Sequence, residues 1–228
     1  MWSKHKRLIV LAAVAAVGAV VVVAVYWKPS MAALVRAARS GETQSRLAAI
    51  GQLERAPSAE TANALASMAQ DADTPVALRA LGTLGRLRRA DALPQMKAAM
   101  KDARPEVREA GVLALGNLGR RSDPQTLVGA LRSDPSPEVR AAAARGIGLV
   151  YYWEGMPDLI NALNDPSEDV RRNAGAAIHR LWRADFLYRA DDPPQERAQR
   201  IALIRSMWDD YSRSPAFNRN RWGKENRP

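Results

Sequence analysis

The chain has 228 residues, a formal charge of +10, no cysteine and two histidines, His5 and His179. Without cysteine there are no disulfides, thiolate metal sites or cysteine nucleophiles, and two histidines leave no cluster for a transition metal; neither a metal nor another cofactor is expected. The charge sits at the ends: residues 1–27 carry +3 from Lys4, Lys6 and Arg7, the last sixteen residues carry +4, and only +3 is spread over the 185 between.

Residues 1–7 form a short basic N-terminus. Residues 8–27, LIVLAAVAAVGAVVVVAVYW, contain no charged side chain. A helix of that length spans about 30 Å, the thickness of a bilayer's hydrocarbon core, and satisfies its backbone polar groups internally. Tyr26 and Trp27 stand where an interfacial aromatic belt belongs, and Lys28-Pro29 ends the segment. It is read as a single transmembrane helix. The competing reading is a cleaved secretory signal; against it, the run exceeds the usual length of about 7–15 apolar residues, and the best small-x-small site, Ser30-Met31-Ala32, lies beyond a proline. The charge bias across the segment is nearly flat, with Lys28, Arg36 and Arg39 after it. The commoner arrangement, a cytoplasmic N-terminus and an exported remainder, places the rest of the chain on the periplasmic side of a bacterial inner membrane.

From residue 30 to 190 the chain repeats itself. Four stretches correspond: DTPVALR from Asp73, DARPEVR from Asp102, DPSPEVR from Asp134 and DPSEDVR from Asp165, each with an arginine six residues on, at Arg79, Arg108, Arg140 and Arg171. Each unit reads as two helices. The second follows the aspartate turn and carries apolar residues at helical spacing, as in Val107, Gly111, Ala114, Leu115 and Leu118, with Pro75, Pro105 and Pro137 at helix starts. Shorter first helices are predicted over 58–70, 91–101, 123–133 and 156–164, with Ser58, Asp91 and Asp123 as N-caps. A less regular pair covers 31–39 and 43–55, and residues 193–211 form a C-terminal capping helix with Ile201, Ile204 and Trp208 on one face. Glycines inside the second helices, Gly116, Gly146 and Gly148 among them, are read as close-packing residues, because no strand precedes them as a dinucleotide-binding loop requires.

The pattern D-x-x-P-x-V-R followed by A-x-x-A-L-G-x-L resembles HEAT repeats, in particular the short bacterial type also found in phycobilin-lyase-related proteins. The resemblance covers residues 58–183 well and 31–55 weakly. It implies an all-α solenoid of about five helix pairs, here preceded by the transmembrane helix. It also implies that Asp102/Arg108, Asp134/Arg140 and Asp165/Arg171, with Asp73/Arg79 in a divergent unit, form a structural ladder of ion pairs linking successive units.

Aromatic residues are absent from Lys28 to Val150 and concentrated after it. Tyr151, Tyr152 and Trp153 fall at the turn where other units carry Arg88-Arg89 and Arg120-Arg121. One reading makes these seven residues a protein-docking edge, since arginine and aromatic side chains dominate interface hot spots. The other makes the arginines solvated helix ends and the aromatics filler between units. Residues 212–228, a basic tail, hold Phe217, Arg219, Arg221 and Trp222, which suit a partner surface or anionic lipid headgroups; a merely solvated tail is the alternative.

No catalytic set is identifiable from spacing. His179 falls where other units have Gly116 or Gly148 and is read as structural. Net charge over the body is too low, and too mixed along the second helices, for a nucleic-acid-binding face, so no nucleic acid is expected. The alternatives, a bilin-lyase-like or other HEAT-type enzyme and a nucleic-acid-binding module, rest on the resemblance alone. The expected function is a membrane-anchored, non-enzymatic scaffold that binds another protein. Its expected setting is as an accessory subunit of a bacterial membrane complex, respiratory or photosynthetic in kind, in contact with membrane lipid and embedded subunits.

Overall fold

The computed structural model describes residues 30–119, 122–215 and 217. The basic N-terminus and the expected transmembrane helix lie outside these residues. Among the described residues no helix is long and apolar enough to cross a membrane.

Five helix pairs follow one another: α1 (Met31–Ala38) with α2 (Thr43–Leu53), α3 (Ala59–Met68) with α4 (Thr74–Arg86), α5 (Leu93–Ala99) with α6 (Pro105–Asn117), α7 (Pro124–Ser133) with α8 (Pro137–Leu149), and α9 (Met156–Ala162) with α10 (Glu168–Trp182). A last helix, α11 (Pro194–Arg213), closes the stack. The all-α solenoid and its repeat boundaries are legible in the sequence; the first helices are shorter than the periodicity predicts, a 3-10 turn at Ala90–Ala92 taking up the start expected of α5, while α9 starts at Met156 as expected and ends at Ala162.

Local chemistry sets the helix starts. Proline stands at the first or second position of α4, α5, α6, α7, α8, α9 and α11, where a missing N–H costs nothing. The Ser58 hydroxyl accepts the Thr61 N–H at 3.0 Å, capping α3 as expected. The two aspartates act otherwise. Asp91 lies inside a 3-10 turn and binds Arg89, and Asp123 turns its carboxylate to Lys97 Nζ (2.6 Å) and the Thr126 hydroxyl (2.9 Å).

The core runs the length of the rod. Leu65, Leu81, Leu84, Met96, Leu115, Leu127, Ile147 and Leu159 are fully buried, and each unit covers its apolar face only with its neighbours. The second helices lie closest together. A Cβ on Gly116 would stand 3.0 Å from the Gly146 Cα, and one on Gly148 would stand 3.0 Å from the Ala177 Cα, so α6, α8 and α10 approach backbone to backbone. The first helices instead leave open grooves, one between α5 and α7 (Leu93, Pro94, Thr126, Gly129) and one between α1 and α3 (Val35, Glu60, Asn63). A stack tight on one layer and open on the other curves toward the tight layer, which puts the second helices on the concave side.

The two edges of the rod differ. At one edge first helices turn into second helices, at Ser40, Asp71, Asp102, Asp134 and Asp165. At the other, second helices end and the next unit begins. There, three matched positions hold side chains in left-handed backbone, Arg88 (φ 50°), Tyr151 (φ 58°) and Arg183 (φ 57°), and Gly119 (φ 60°) occupies a fourth. The Arg89 N–H reaches the Leu84 carbonyl and the Tyr152 N–H the Ile147 carbonyl, both at 3.2 Å, which is the six-to-one bond of a Schellman turn.

Candidate protein-binding surface

The ladder is present, and its geometry is that of a chain of clamps. Arg108 donates from Nε and Nη2 to the two carboxylate oxygens of Asp134, both at 2.9 Å, while its Nη1 holds the Asp102 and Ala103 carbonyls of its own turn (3.0 and 3.1 Å). Arg140 repeats this on Asp165 (2.9 and 2.9 Å) and on the Asp134 and Pro135 carbonyls. Each aspartate therefore receives the arginine of the preceding unit, and its Oδ1 also accepts a backbone N–H two residues on, from Ser136 or Ser167. Burial resists ionisation of Asp134 and Asp165, but the arginine forks and backbone donors outweigh it and hold both carboxyls below their usual range. The ladder ends at Arg171, whose Nε donates to the Ala190 carbonyl at 2.9 Å where a further carboxylate would stand.

The first rung departs from expectation. Arg79 is half exposed and only approaches Glu54, at 3.9 Å. The aspartate in ladder register is Asp71, which bonds the Asp73 N–H at 2.9 Å just as Asp102 bonds the Arg104 N–H. Six residues beyond Asp71 stands Ala77, which has no guanidinium to offer. Arg104 fills the gap from the next unit, donating to the Asp71 and Ala72 carbonyls (3.1 and 2.8 Å) and to its own Asp102. That contact holds Asp102 well below the usual carboxylate range, to about 2. One unit earlier, Arg46 holds the Ser40 carbonyl at 2.8 Å and meets both Asp71 (3.0 Å) and Asp73.

The expected docking edge divides. Arg88 and Tyr151 are exposed at the turn tips. Arg89 is bound to Asp91 by a double contact of 3.0 and 2.5 Å. Tyr152 is half-buried and receives the Gln125 amide. Trp153 is 6 % exposed and belongs to the core, which corrects its assignment to the edge: it stacks on Trp208 (centroids 6.3 Å apart, planes at 17°) and meets Phe217 edge-on at 6.1 Å. Phe217 is likewise no free tail contact, since it also packs on Trp208 and Tyr211 at 5.4 and 5.6 Å. Trp182 and Phe186 complete this aromatic cluster, which fastens α11 over the last pair. Arg120, Arg121, Arg219, Arg221 and Trp222 lie outside the described residues.

The second helices line the concave face. Along it α4, α6, α8 and α10 present Arg79, Glu109, Arg145 and Arg180, with half-buried Leu113 and Leu149 between them. Three of these four charged residues are basic, Glu109 is the one acid, and the apolar residues between them are few. At its end a cleft of about 750 Å³ is lined by His179, Arg180, Asp185, Phe186 and Tyr188. His179 Nδ1 lies 3.1 Å from the Ala184 carbonyl, so the ring closes the turn after α10. No group of three or more metal-binding side chains occurs among the described residues.

No protein of curated function matches the sequence. Solved structures share the fold at low identity. The complex of CpcE and CpcF of phycocyanin lyase from a Nostoc species aligns with a TM-score of 0.58 at 19 % identity, over 69 % of this chain and 67 % of that one. The Escherichia coli protein YibA aligns with a TM-score of 0.53 at 18 % identity, over 79 % and 75 %. A designed armadillo repeat protein in complex with the peptide (KR)4 aligns with a TM-score of 0.50 at 19 % identity, over 82 % and 93 %. Sequence profiles of HEAT repeats match residues 31–116, 63–135 and 124–210, which together span the whole solenoid, and the chain therefore belongs to the HEAT-repeat family.

Proposed function

We propose that this chain is a membrane-anchored scaffold that holds another protein along its concave face and works by binding, without turnover. In this reading residues 8–27 anchor the rod in a bacterial inner membrane with the solenoid on the periplasmic side, and the partner is a subunit of a larger membrane complex. The observation that carries the reading is the rigid second-helix face, held at backbone contact by Gly116, Gly146 and Gly148 and carrying Arg79, Glu109, Arg145 and Arg180. A preorganised surface loses little entropy on binding, and a tether raises the effective concentration of an embedded partner, so a modest interface suffices. The designed armadillo protein is in complex with a peptide; binding of a polypeptide by the concave face is proposed here.

The test is extraction of the full chain from native membranes in mild detergent. A partner is expected to co-purify, and charge reversal at Arg145 and Arg180 is expected to weaken its retention by about tenfold or more. Reversal of Glu106 on the opposite flank should leave retention unchanged. A chain that sediments alone, or one that loses its partner equally with both sets of substitutions, refutes the reading. A C-terminal reporter active only in the cytoplasm refutes the topology.

A further inference from the structure

The last layer of the stack is built unlike the others. After Trp182 the chain crosses α10 without forming a helix: Phe186 packs on Trp182, Tyr188 lies against Gly175, and its hydroxyl donates to the Leu163 carbonyl at 2.6 Å. Helix α11 then returns over α9, where Arg205 bonds Asn161 at 2.9 Å. Ala198, Ala202, Arg205 and Asp209 line the groove it makes with α9, and Asp210 stands at the outer rim. The flank of α11 turned away from α9 has no helix beside it among the described residues.

A terminal unit of a repeat stack needs a polar outer face, because nothing further covers it. This one carries apolar side chains instead. Among the described residues four large hydrophobic side chains are exposed, and three belong to the closing layer: Leu187 (62 %), Leu203 (46 %) and Met207 (41 %). Leu203 and Met207 stand one turn apart on the free flank of α11, across the helix from Arg205.

The charges on that flank form a palindrome. Arg200 lies three residues before Leu203 and Asp210 three residues after Met207, so the four are symmetric about position 205. They have the alternating three- and four-residue spacing of a coiled-coil seam and fall within about 80° of arc. Neither Arg200 nor Asp210 has a hydrogen bond or ion pair among the described residues. The helix's other arginines lie elsewhere: Arg197 donates to the Asp192 carbonyl, Arg205 faces α9, and Arg213 ends the last turn.

We infer that the free flank of α11 docks on the same flank of a second copy of this chain, the two helices antiparallel about a two-fold axis at position 205. That register sets Leu203 on Met207 of the second copy and Arg200 against its Asp210, each contact occurring twice, as an isologous interface requires. Glu196, the remaining charge on the flank, falls opposite the last turn, which carries Arg213. A parallel pairing would set Arg200 on Arg200 and Asp210 on Asp210. One helix seam buries less than the roughly 1,200 Å² of a stable soluble complex, so the dimer forms reversibly and depends on concentration. The inference is independent of the concave-face reading, since neither Arg145 nor Arg180 takes part.

Sedimentation equilibrium of the full-length chain in density-matched detergent tests it. A monomer–dimer equilibrium is expected, and Leu203→Glu should weaken it about tenfold or more with helicity and Tm unchanged, the side chain being exposed. Arg200→Asp and Asp210→Arg should each weaken it by about tenfold, because either sets like charges opposite one another at both ends of the contact. An equimolar mixture of these two variants should associate at least as well as the original chain, for both ends of the mixed dimer then hold opposite charges. A chain that stays monomeric throughout the micromolar range, a dimer indifferent to all three substitutions, or a mixture no better than its components overturns the inference. So does a chain that is monomeric alone and loses a co-purifying membrane protein on Leu203→Glu, which assigns the flank to that protein.

Discussion

Removing the Asp134 carboxylate tests whether the ladder holds the units together or merely decorates the turns. Asp134 and Arg108 side chains are 9 % and 13 % exposed, so Asp134→Ala leaves a nearly buried guanidinium without its anion. Breaking a fully buried pair from one side costs about 3–5 kcal/mol. Here Arg108 keeps its bonds to the Asp102 and Ala103 carbonyls, which lowers the penalty, while the Ser136 N–H also loses its acceptor, which raises it. The expected cost is about 2–4 kcal/mol, or a fall in Tm of about 4–16 °C at the usual 2–4 °C per kcal/mol for a domain of this size. The exposed pair of Arg172 with Glu168 is the control, and Arg172→Ala should cost at most about 0.5 kcal/mol. Thermal melts of the full chain in detergent measure both, and hydrogen exchange should show residues 30–117 separating from 124–213 as two cooperative blocks. A double-mutant cycle with Arg108→Ala should return a coupling above about 1 kcal/mol. A cost for Asp134→Ala no larger than the surface control, or a coupling near zero, refutes the clamp.

The glycines separate packing from propensity. Gly116→Ala pushes a methyl against the Gly146 backbone and should destabilise by about 1–3 kcal/mol, whereas Gly129→Ala, with open space around it in α7, should stabilise by up to about 1 kcal/mol; thermal melts give the two signs directly. In the divergent unit, Arg104→Ala should lower Tm more than Arg172→Ala does, and adding Ala77→Arg should restore part of the loss by supplying the missing ladder arginine; no recovery would deny that Ala77 occupies that position. The acid limb follows from the depressed carboxyls. Asp102, Asp134 and Asp165 ionise more readily folded than unfolded, so their contribution is complete above the unfolded carboxylate range near pH 4 and is lost as pH falls toward about 2, the value for Asp102. Tm should be flat from pH 5 to 8 in respect of these groups and drop below about pH 4, a drop that Asp134→Ala should reduce.

How much the sequence discloses depends on where a residue's neighbours come from. The helix pairs and two ladder rungs, Arg108–Asp134 and Arg140–Asp165, are legible, because each depends on a pattern within one unit that the next unit repeats. The divergent unit misleads because it offers two aspartates, Asp71 and Asp73, and an arginine six residues after the wrong one. The spacing held the answer: Asp71 lies 31 residues before Asp102, and Ser40 another 31 before that. Trp153 shows the opposite case. Its burial is decided by Trp208, Tyr211 and Phe217, residues of α11 and the segment after it, which no repeat pattern relates to the turn. Phe217 was misplaced for the same reason, being a lone aromatic among arginines and asparagines whose partners are distant in sequence. The Arg46 and Arg104 contacts are not legible in the repeat pattern, because each leaves the repeat register to bind a neighbouring turn.

The turn tips carry one further consequence. A residue with a Cβ in left-handed backbone costs about 1–2 kcal/mol, and glycine at the same place gives back about 0.5–1 kcal/mol of that through its greater freedom when unfolded. Gly119 occupies one such tip, while Arg88, Tyr151 and Arg183 occupy the others. Each of Arg88→Gly, Tyr151→Gly and Arg183→Gly should therefore raise stability by about 0.5 kcal/mol. Three such sites in a protein of ordinary marginal stability are a measurable sum. Local packing does not explain the choice, since all three side chains are exposed. Leu187 (φ 51°), exposed in the segment between α10 and α11, is in the same conformation, and thermal melts of the three glycine variants should shift upward. If glycine lowers Tm at these positions, the side chains hold the turns by packing, and the reading of these tips as strained is refuted.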